Sequence, residues 1–265
     1  MDRGYFIGLA GVDVVFHVDQ YPLEDHKTKT SDYVLKTGGP ALNAAKIYAL
    51  LGGEAVLVSS VGEGVFADYI RADLKRFNVK LIDLTPNVQQ QNVSSIIIRG
   101  STRTICSGQA RRVEAHLPRL EDALFCHSDG NIFETNERLI QEAERLGIPL
   151  LLDCGSWKEG MDSLLSHAHA AISSEHFLSP DKEDIFSLAK RWNIPFAAMT
   201  RGGEPIRTMK GEIEVRKIDH GNTSGAGDVF HGAFAYYFYK CALDFEKSLQ
   251  KASEIAAKYI CGELF

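Results

Sequence analysis

Asn222-Thr223-Ser224-Gly225-Ala226-Gly227-Asp228-Val229-Phe230-His231-Gly232-Ala233-Phe234 reads as a tight glycine loop that feeds directly into an apolar helix. Gly225 and Gly227 tolerate positive φ and let backbone come close to a ligand. The first N–H groups of the helix have no intrahelical acceptor, and the positive end of the helix dipole lies behind them. That is a seat for an anion. Asp228 stands on its rim, placed to accept a proton. An anion seat with a carboxylate beside it suits holding a phosphoryl group while a substrate hydroxyl is aimed at it.

Outward from this loop the chain alternates strand and helix. Tyr5 to Leu9 reads as a buried strand, Val12 to Val18 as a half-exposed one with period two, and Ser31 to Lys36 as a second of that kind. Thr37-Gly38-Gly39-Pro40 breaks the pattern, and Pro40 starts a helix over Ala41 to Leu51. Strands are expected at Val56–Ser60, Leu124–His127, Leu150–Asp153, Ala170–Ser173 and Phe196–Thr200. Helices are expected over Phe66–Phe77, Glu134–Leu146, Asp162–His167, Lys182–Trp192, Gly227–Lys240 and Phe245–Tyr259. Val93–Arg99 and Thr102–Cys106 look like a hairpin, and Ile206–Met209 with Glu212–Ile218 like a meander. Repeated strand–helix units predict an α/β fold, a mostly parallel sheet flanked by helices with ligands at the strand C-termini. The excursions at about 12–36 and 93–107 predict a small β lid within a single domain spanning 1–265.

Composition narrows the function classes. The 265 residues carry a net charge of −6, which argues against a nucleic-acid surface. No apolar run is long enough to span a bilayer and no signal-peptide pattern opens the chain, so a soluble, cytoplasmic protein is expected. The five cysteines are scattered without a Cys-x-x-Cys pair, which fits reduced thiols rather than zinc or disulfides. The nine histidines show no metal-ligand spacing, and His231 reads as a helix-packing residue.

Two further constellations carry chemistry. Gly38-Gly39-Pro40-Ala41-Leu42-Asn43 opens a helix with a diglycine against which a ligand can lie, and Asn43 both donates and accepts, which suits a polyol. Gly11-Val12-Asp13 puts a carboxylate just past the first strand. These two, with Thr223-Ser224-Gly225-Ala226-Gly227-Asp228, occur in an order and at spacings that resemble the ribokinase (PfkB) family of carbohydrate kinases. Val61-Gly62-Glu63-Gly64-Val65-Phe66 resembles that family's Val-Gly-x-Asp-x-x-Gly block, and Thr200-Arg201-Gly202-Gly203 its nucleotide-side Thr-x-Gly turn.

The resemblance implies a ribokinase-like fold and transfer of the ATP γ-phosphoryl group to a hydroxyl of a sugar or sugar-like molecule. It implies Asp228 as the base and the N–H groups of Gly225, Ala226, Gly227 and Asp228 as the anion hole. Asp13, Gly38, Gly39 and Asn43 would hold substrate, while Thr200, Gly202, Ser174, Gly225 and Gly227 would face ATP. Mg²⁺ is expected with the nucleotide. Ser174-Glu175 stands where the family carries Asn-x-x-Glu, which leaves Glu175 as the carboxylate that would act on the metal through water. Asn222 replaces the family's common Asp, which weighs against a monovalent-cation site. His127-Ser128-Asp129-Gly130 and Leu152-Asp153-Cys154-Gly155-Ser156-Trp157-Lys158 end strands on the expected active face, so Asp129 is added as a substrate ligand, with Asp153 and Lys158 near it. Arg111-Arg112 is a candidate clamp for a substrate anion. A nucleoside or vitamin kinase of the same fold, or a non-catalytic sugar- or nucleotide-binding regulator, stay open as alternatives. The half-exposed lid strands need cover, from bound substrate or from a second copy in a homodimer.

Overall fold

The computed structural model describes residues 3–30, 32–89, 91–100, 102–108, 119–218, 221 and 223–264, with the side chains of 133–137 excepted. The chain begins with β1 (Arg3–Ile7), β2 (Gly11–His17), β3 (Tyr33–Gly38), α1 (Pro40–Leu50), β4 (Glu54–Ser59), α2 (Val65–Arg76) and β5 (Lys80–Asp83). It continues with β6 (Val93–Arg99), β7 (Thr102–Gly108), β8 (Ala123–Ser128), α3 (Phe133–Leu146), β9 (Leu150–Cys154), α4 (Met161–Ser166) and β10 (Ala170–Ser174). It closes with α5 (Ile185–Trp192), β11 (Phe196–Arg201), β12 (Glu204–Thr208), β13 (Glu212–Ile213), α6 (Ala226–Ala235), a π-helical turn (Tyr236–Lys240) and α7 (Phe245–Ile260).

Among the described residues nine strands form the main sheet in the order β13-β12-β11-β10-β9-β8-β1-β4-β5, parallel except for β12 and β13 at one edge. β1 lies between β4 and β8, so the chain runs out to one side, returns and fills the other. That reversal opens a crevice at the strand C-termini, the place where such sheets bind ligands. Alternation along β1 builds two cores: Phe6 joins the cluster under α1, α2, α6 and α7, while Tyr5 and Ile7 join the one under α3, α4 and α5. Helix ends follow local chemistry. Pro40 occupies the first turn of α1, where its missing N–H costs nothing. Asp184 caps α5 by accepting from the Ser187 N–H at 2.9 Å, and Asp244 caps α7 from the Lys247 N–H at 2.8 Å.

The two excursions meet in a second sheet of order β3-β2-β6-β7. Tyr33, Val34, Leu35 and Ile105 on it are exposed. Several expected elements change shape. β5 is an addition to the expected elements, a short edge strand of one exposed and three half-buried residues. The second arm of the expected meander shrinks to the two residues of β13. α5 starts at Ile185 rather than Lys182, which has φ of 62°, outside helical space. The helix expected over Gly227–Lys240 stops being α-helical at Ala235, where the aromatic run Tyr236-Tyr237-Phe238-Tyr239 packs in a π turn. Phe238 stacks on Phe234 at 5.2 Å, and Tyr239 on Phe125 at 5.1 Å.

Candidate active site

The N-terminus of α6 is the wall between two cavities. On one side Gly225 and Asp228, with Asp13, Gly39 and Asn43, line a cavity of about 410 Å³. On the other Ala226 and Gly227, with Thr200 and Gly202, line one of about 390 Å³. Gly225 caps the helix at φ 84°, a left-handed conformation that glycine adopts without steric cost. Its own N–H and those of Gly227 and Asp228 have no backbone acceptor among the described residues. Ala226 differs from the expectation: its N–H donates to the Thr223 carbonyl at 3.2 Å and is occupied in holding the turn. Tyr259, from α7, fastens the loop by donating to the Ser224 carbonyl at 2.9 Å.

Asp228 is half-buried, and the Asn43 amide donates to its Oδ2 at 2.7 Å. Loss of water pushes its pKa up to about 7; the nearby charge of Asp153 pushes the same way, and the Asn43 hydrogen bond pulls it back. Asp13 also sits above the usual carboxylate range because of burial, with Lys36 and Ser94 opposing the rise. Lys36 faces Asp13 across the β2–β3 pair. The far wall holds an ion-pair network: Lys46 Nζ lies 2.7 Å from Asp73 Oδ2, the Thr37 hydroxyl donates to the same oxygen at 2.5 Å, and Lys46 sits over the Phe77 ring at 4.5 Å. Lys46 follows Asn43 by one helical turn, so its place on the cavity face of α1 was readable from spacing. Tyr259 and Arg103 were not readable. Arg103 of β7 donates to Ser224 Oγ at 3.3 Å and links the second sheet to the glycine loop.

The diglycine has a different use from the one expected. A Cβ on Gly38 would stand 2.3 Å from Asp13 Oδ2, so the absent side chain makes room for that carboxylate, and Gly38 itself is buried behind it. Gly39 does line the cavity; at φ 110° its Cβ position lies 2.3 Å from the Leu9 carbonyl oxygen. Asp129 departs further from the expected place against substrate. It is fully buried, and its oxygens accept from the N–H groups of Leu9 (2.9 Å), Ala41 (3.1 Å) and Asn131 (2.9 Å). With its acceptors turned to backbone, it anchors the start of α1 to the end of β1 instead of meeting substrate. Asp153 is buried too, and its pKa is pushed up to about 6 by loss of water, opposed by Lys158.

On the second cavity, Ile206, Val215, Ala256 and Ile260 give an apolar slot of the kind a flat heterocycle fills. Thr200 donates to the Ser173 carbonyl at 3.2 Å, and Gly202 makes the β11–β12 turn at φ 60°. Ser174 and Glu175 line neither cavity. Ser174 Oγ donates to the Gly155 carbonyl at 3.0 Å, and Glu175 is exposed. Asn222 and Arg111-Arg112 lie outside the described residues. The five cysteines are free thiols, and no helix among the described residues is long and apolar enough to cross a membrane.

The family described as pfkB family carbohydrate kinase matches residues 2–263. The deoxyribokinase of Salmonella typhi is 24% identical, with 97% of this chain and 92% of the relative covered. The ribokinase of Bacillus subtilis is 22% identical over the same shares. In fold, the ribokinase structure from Thermotoga maritima superposes with a TM-score of 0.78 at 15% identity, covering 98% of this chain and 92% of that one.

Proposed function

The chain belongs to the pfkB family of carbohydrate kinases, phosphotransferases acting on hydroxyl groups, and from that premise we propose that it moves the γ-phosphoryl group of ATP onto a hydroxyl of a sugar or sugar-like small molecule. The observation that carries this reading is the position of α6: neighbouring residues of one helix terminus face two different cavities. Sugar would lie in the cavity of Asp13, Gly39 and Asn43, and ATP in the cavity of Thr200, Gly202 and Gly227. The N–H groups of Gly225, Gly227 and Asp228, which have no backbone acceptor among the described residues, would then meet the group in transit.

In the proposed reaction Asn43 holds Asp228 Oδ2, which leaves Oδ1 to accept the proton of the substrate hydroxyl. The hydroxyl oxygen forms its bond to the γ-phosphorus as the bond to the β-phosphate bridging oxygen breaks. That oxygen keeps the electron pair, ADP departs and Asp228 carries the proton. Little covalent chemistry falls to the protein, so positioning and charge stabilisation carry the rate. A magnesium ion would neutralise charge on the triphosphate when bound. It takes oxygen ligands and keeps several waters, and Glu175, exposed just past the end of β10, would act on it only through such waters.

The second sheet would act as a lid over the sugar. Arg103 supports that reading by reaching from it to the glycine loop. Its exposed apolar residues favour pairing with a second copy, which light scattering measures. The test of function is ADP release over a panel of sugars, sugar acids, nucleosides and vitamins, with Asp228→Asn as the control. Turnover of a sugar that the variant loses supports the proposal. Tight ATP or sugar binding with no turnover of any compound refutes it and leaves a binding regulator.

A further inference from the structure

His127 is the last residue but one of β8, Asp153 the last but one of the neighbouring β9, and His231 lies on α6 one turn along from Asp228. All three are buried on the α6 side of the sheet. One donor atom from each comes within 4.8 Å of the other two. His231 Nε2 stands 3.3 Å from Asp153 Oδ1. A tetrahedron with metal–ligand bonds of about 2.0–2.1 Å has edges of about 3.3 Å, so this pair is already spaced as two ligands of one ion.

His127 supplies the independent observation. Both its ring nitrogens are buried without a hydrogen-bond partner among the described residues, although an imidazole carries two polar nitrogens that demand one. Its ring neighbours are Phe6 and His231, at 5.3 Å and 5.6 Å. A polar side chain in such a place needs something else to bind. Asp153 is oriented from behind, because the Gly155 N–H donates to its Oδ1 at 2.9 Å.

We propose that His127, Asp153 and His231 bind one divalent transition-metal ion of the zinc class, separate from any ion carried by the nucleotide. Two imidazoles and a carboxylate are the donor set of zinc sites with one position left open. They are a poor set for magnesium, which takes oxygen ligands. The ion would tie α6 to the ends of β8 and β9, and so set the position of Asp228 one turn away. The proposal stands whether or not the kinase reading does, since none of the three residues is given a part in phosphoryl transfer.

The test uses the full chain, stripped with a chelator, its thiols alkylated because Cys106, Cys241 and Cys261 are exposed and would compete for zinc. Zinc chloride alone is titrated by calorimetry, with Tm followed in parallel, and cobalt(II) alone is added to read the ligand field. One zinc per chain, a Tm rise that saturates at one equivalent and a tetrahedral cobalt spectrum are expected. His127→Phe keeps the ring volume and removes the unpaired nitrogens, so it folds with a Tm no lower than that of the metal-free protein; it loses zinc affinity at least tenfold. His231→Leu and Asp153→Asn lose it too. Absence of stoichiometric binding overturns the proposal and leaves His127 to a buried water. So does binding that survives in all three variants.

Discussion

Replacing Asn43 by leucine removes the amide that donates to Asp228 Oδ2 at 2.7 Å while keeping the side chain's size. That hydrogen bond opposes the influences that raise the Asp228 pKa to about 7: burial first, then the charges of Asp153, Asp129 and Asp13. A hydrogen bond to a charged group is worth about 1.5–3 kcal/mol, and one pH unit corresponds to about 1.36 kcal/mol. The cavity admits water, so the lower figure applies, and the Asp228 pKa should rise by about one pH unit, to near 8. A base must be ionised to work, so activity falls as pH drops through its pKa. The acidic limb of kcat/KM, which reports the free enzyme, should move from near pH 7 to near pH 8. At pH 7 protonation alone then costs roughly fivefold, and at pH 9 that part of the loss disappears. The assay is kcat/KM for the turned-over sugar from pH 5.5 to 9.5. An unmoved limb with a pH-independent loss would show that Asn43 only binds substrate, and would refute the reasoning.

Asp228→Asn should lower turnover by about 10²–10⁴-fold while raising stability. The folded-state pKa lies above the unfolded value, so ionising Asp228 costs stability increasingly from pH 4 to 7. Water in the cavity reduces that cost to about 1–2 kcal/mol. The variant's Tm should therefore exceed the wild type's by a few degrees at pH 8, with the gap closing towards pH 4. Gly38→Ala places a methyl group 2.3 Å from Asp13 Oδ2, and KM for the sugar should rise at least about tenfold with KM for ATP unchanged; equal effects on both would contradict the placement of Asp13. Lys46→Met strips Asp73 of its closest cation, at 2.7 Å, where both side chains are largely buried. The Thr37 hydroxyl remains, so chemical denaturation should show a loss of about 3 kcal/mol, and a loss below about 1 kcal/mol would mean the pair is screened.

The fold was legible because its signals are local. Buried strands such as Leu150–Cys154 read as apolar runs, and Pro40 and the late glycine loop mark helix starts. β5 is hard to read because one exposed and three half-buried residues carry no clear period. What the sequence could bring together was legible where chemistry and backbone need coincide: Gly225, Asp228, Gly39 and Asn43 line one cavity. Legibility failed where one residue type serves two ends. A strand-terminal aspartate looks the same in sequence whether it faces a ligand or, like Asp129, three backbone N–H groups. A glycine likewise looks the same whether it admits a ligand or, like Gly38, a neighbouring carboxylate. Contacts between distant segments leave no trace in spacing, as with Arg103 at Ser224 or His231 at Asp153.

The central claim is that one helix terminus separates sugar from nucleotide and cradles the phosphoryl group between them. A crystal structure with magnesium and a non-hydrolysable ATP analogue tests it most directly. The account predicts the adenine against Ala256 and Ile260, with the γ-phosphate on the N–H groups of Gly227 and Asp228 and facing the Asp228 carboxylate. A γ-phosphate bound away from the start of α6, with the Gly227 and Asp228 amides left to solvent, would contradict it.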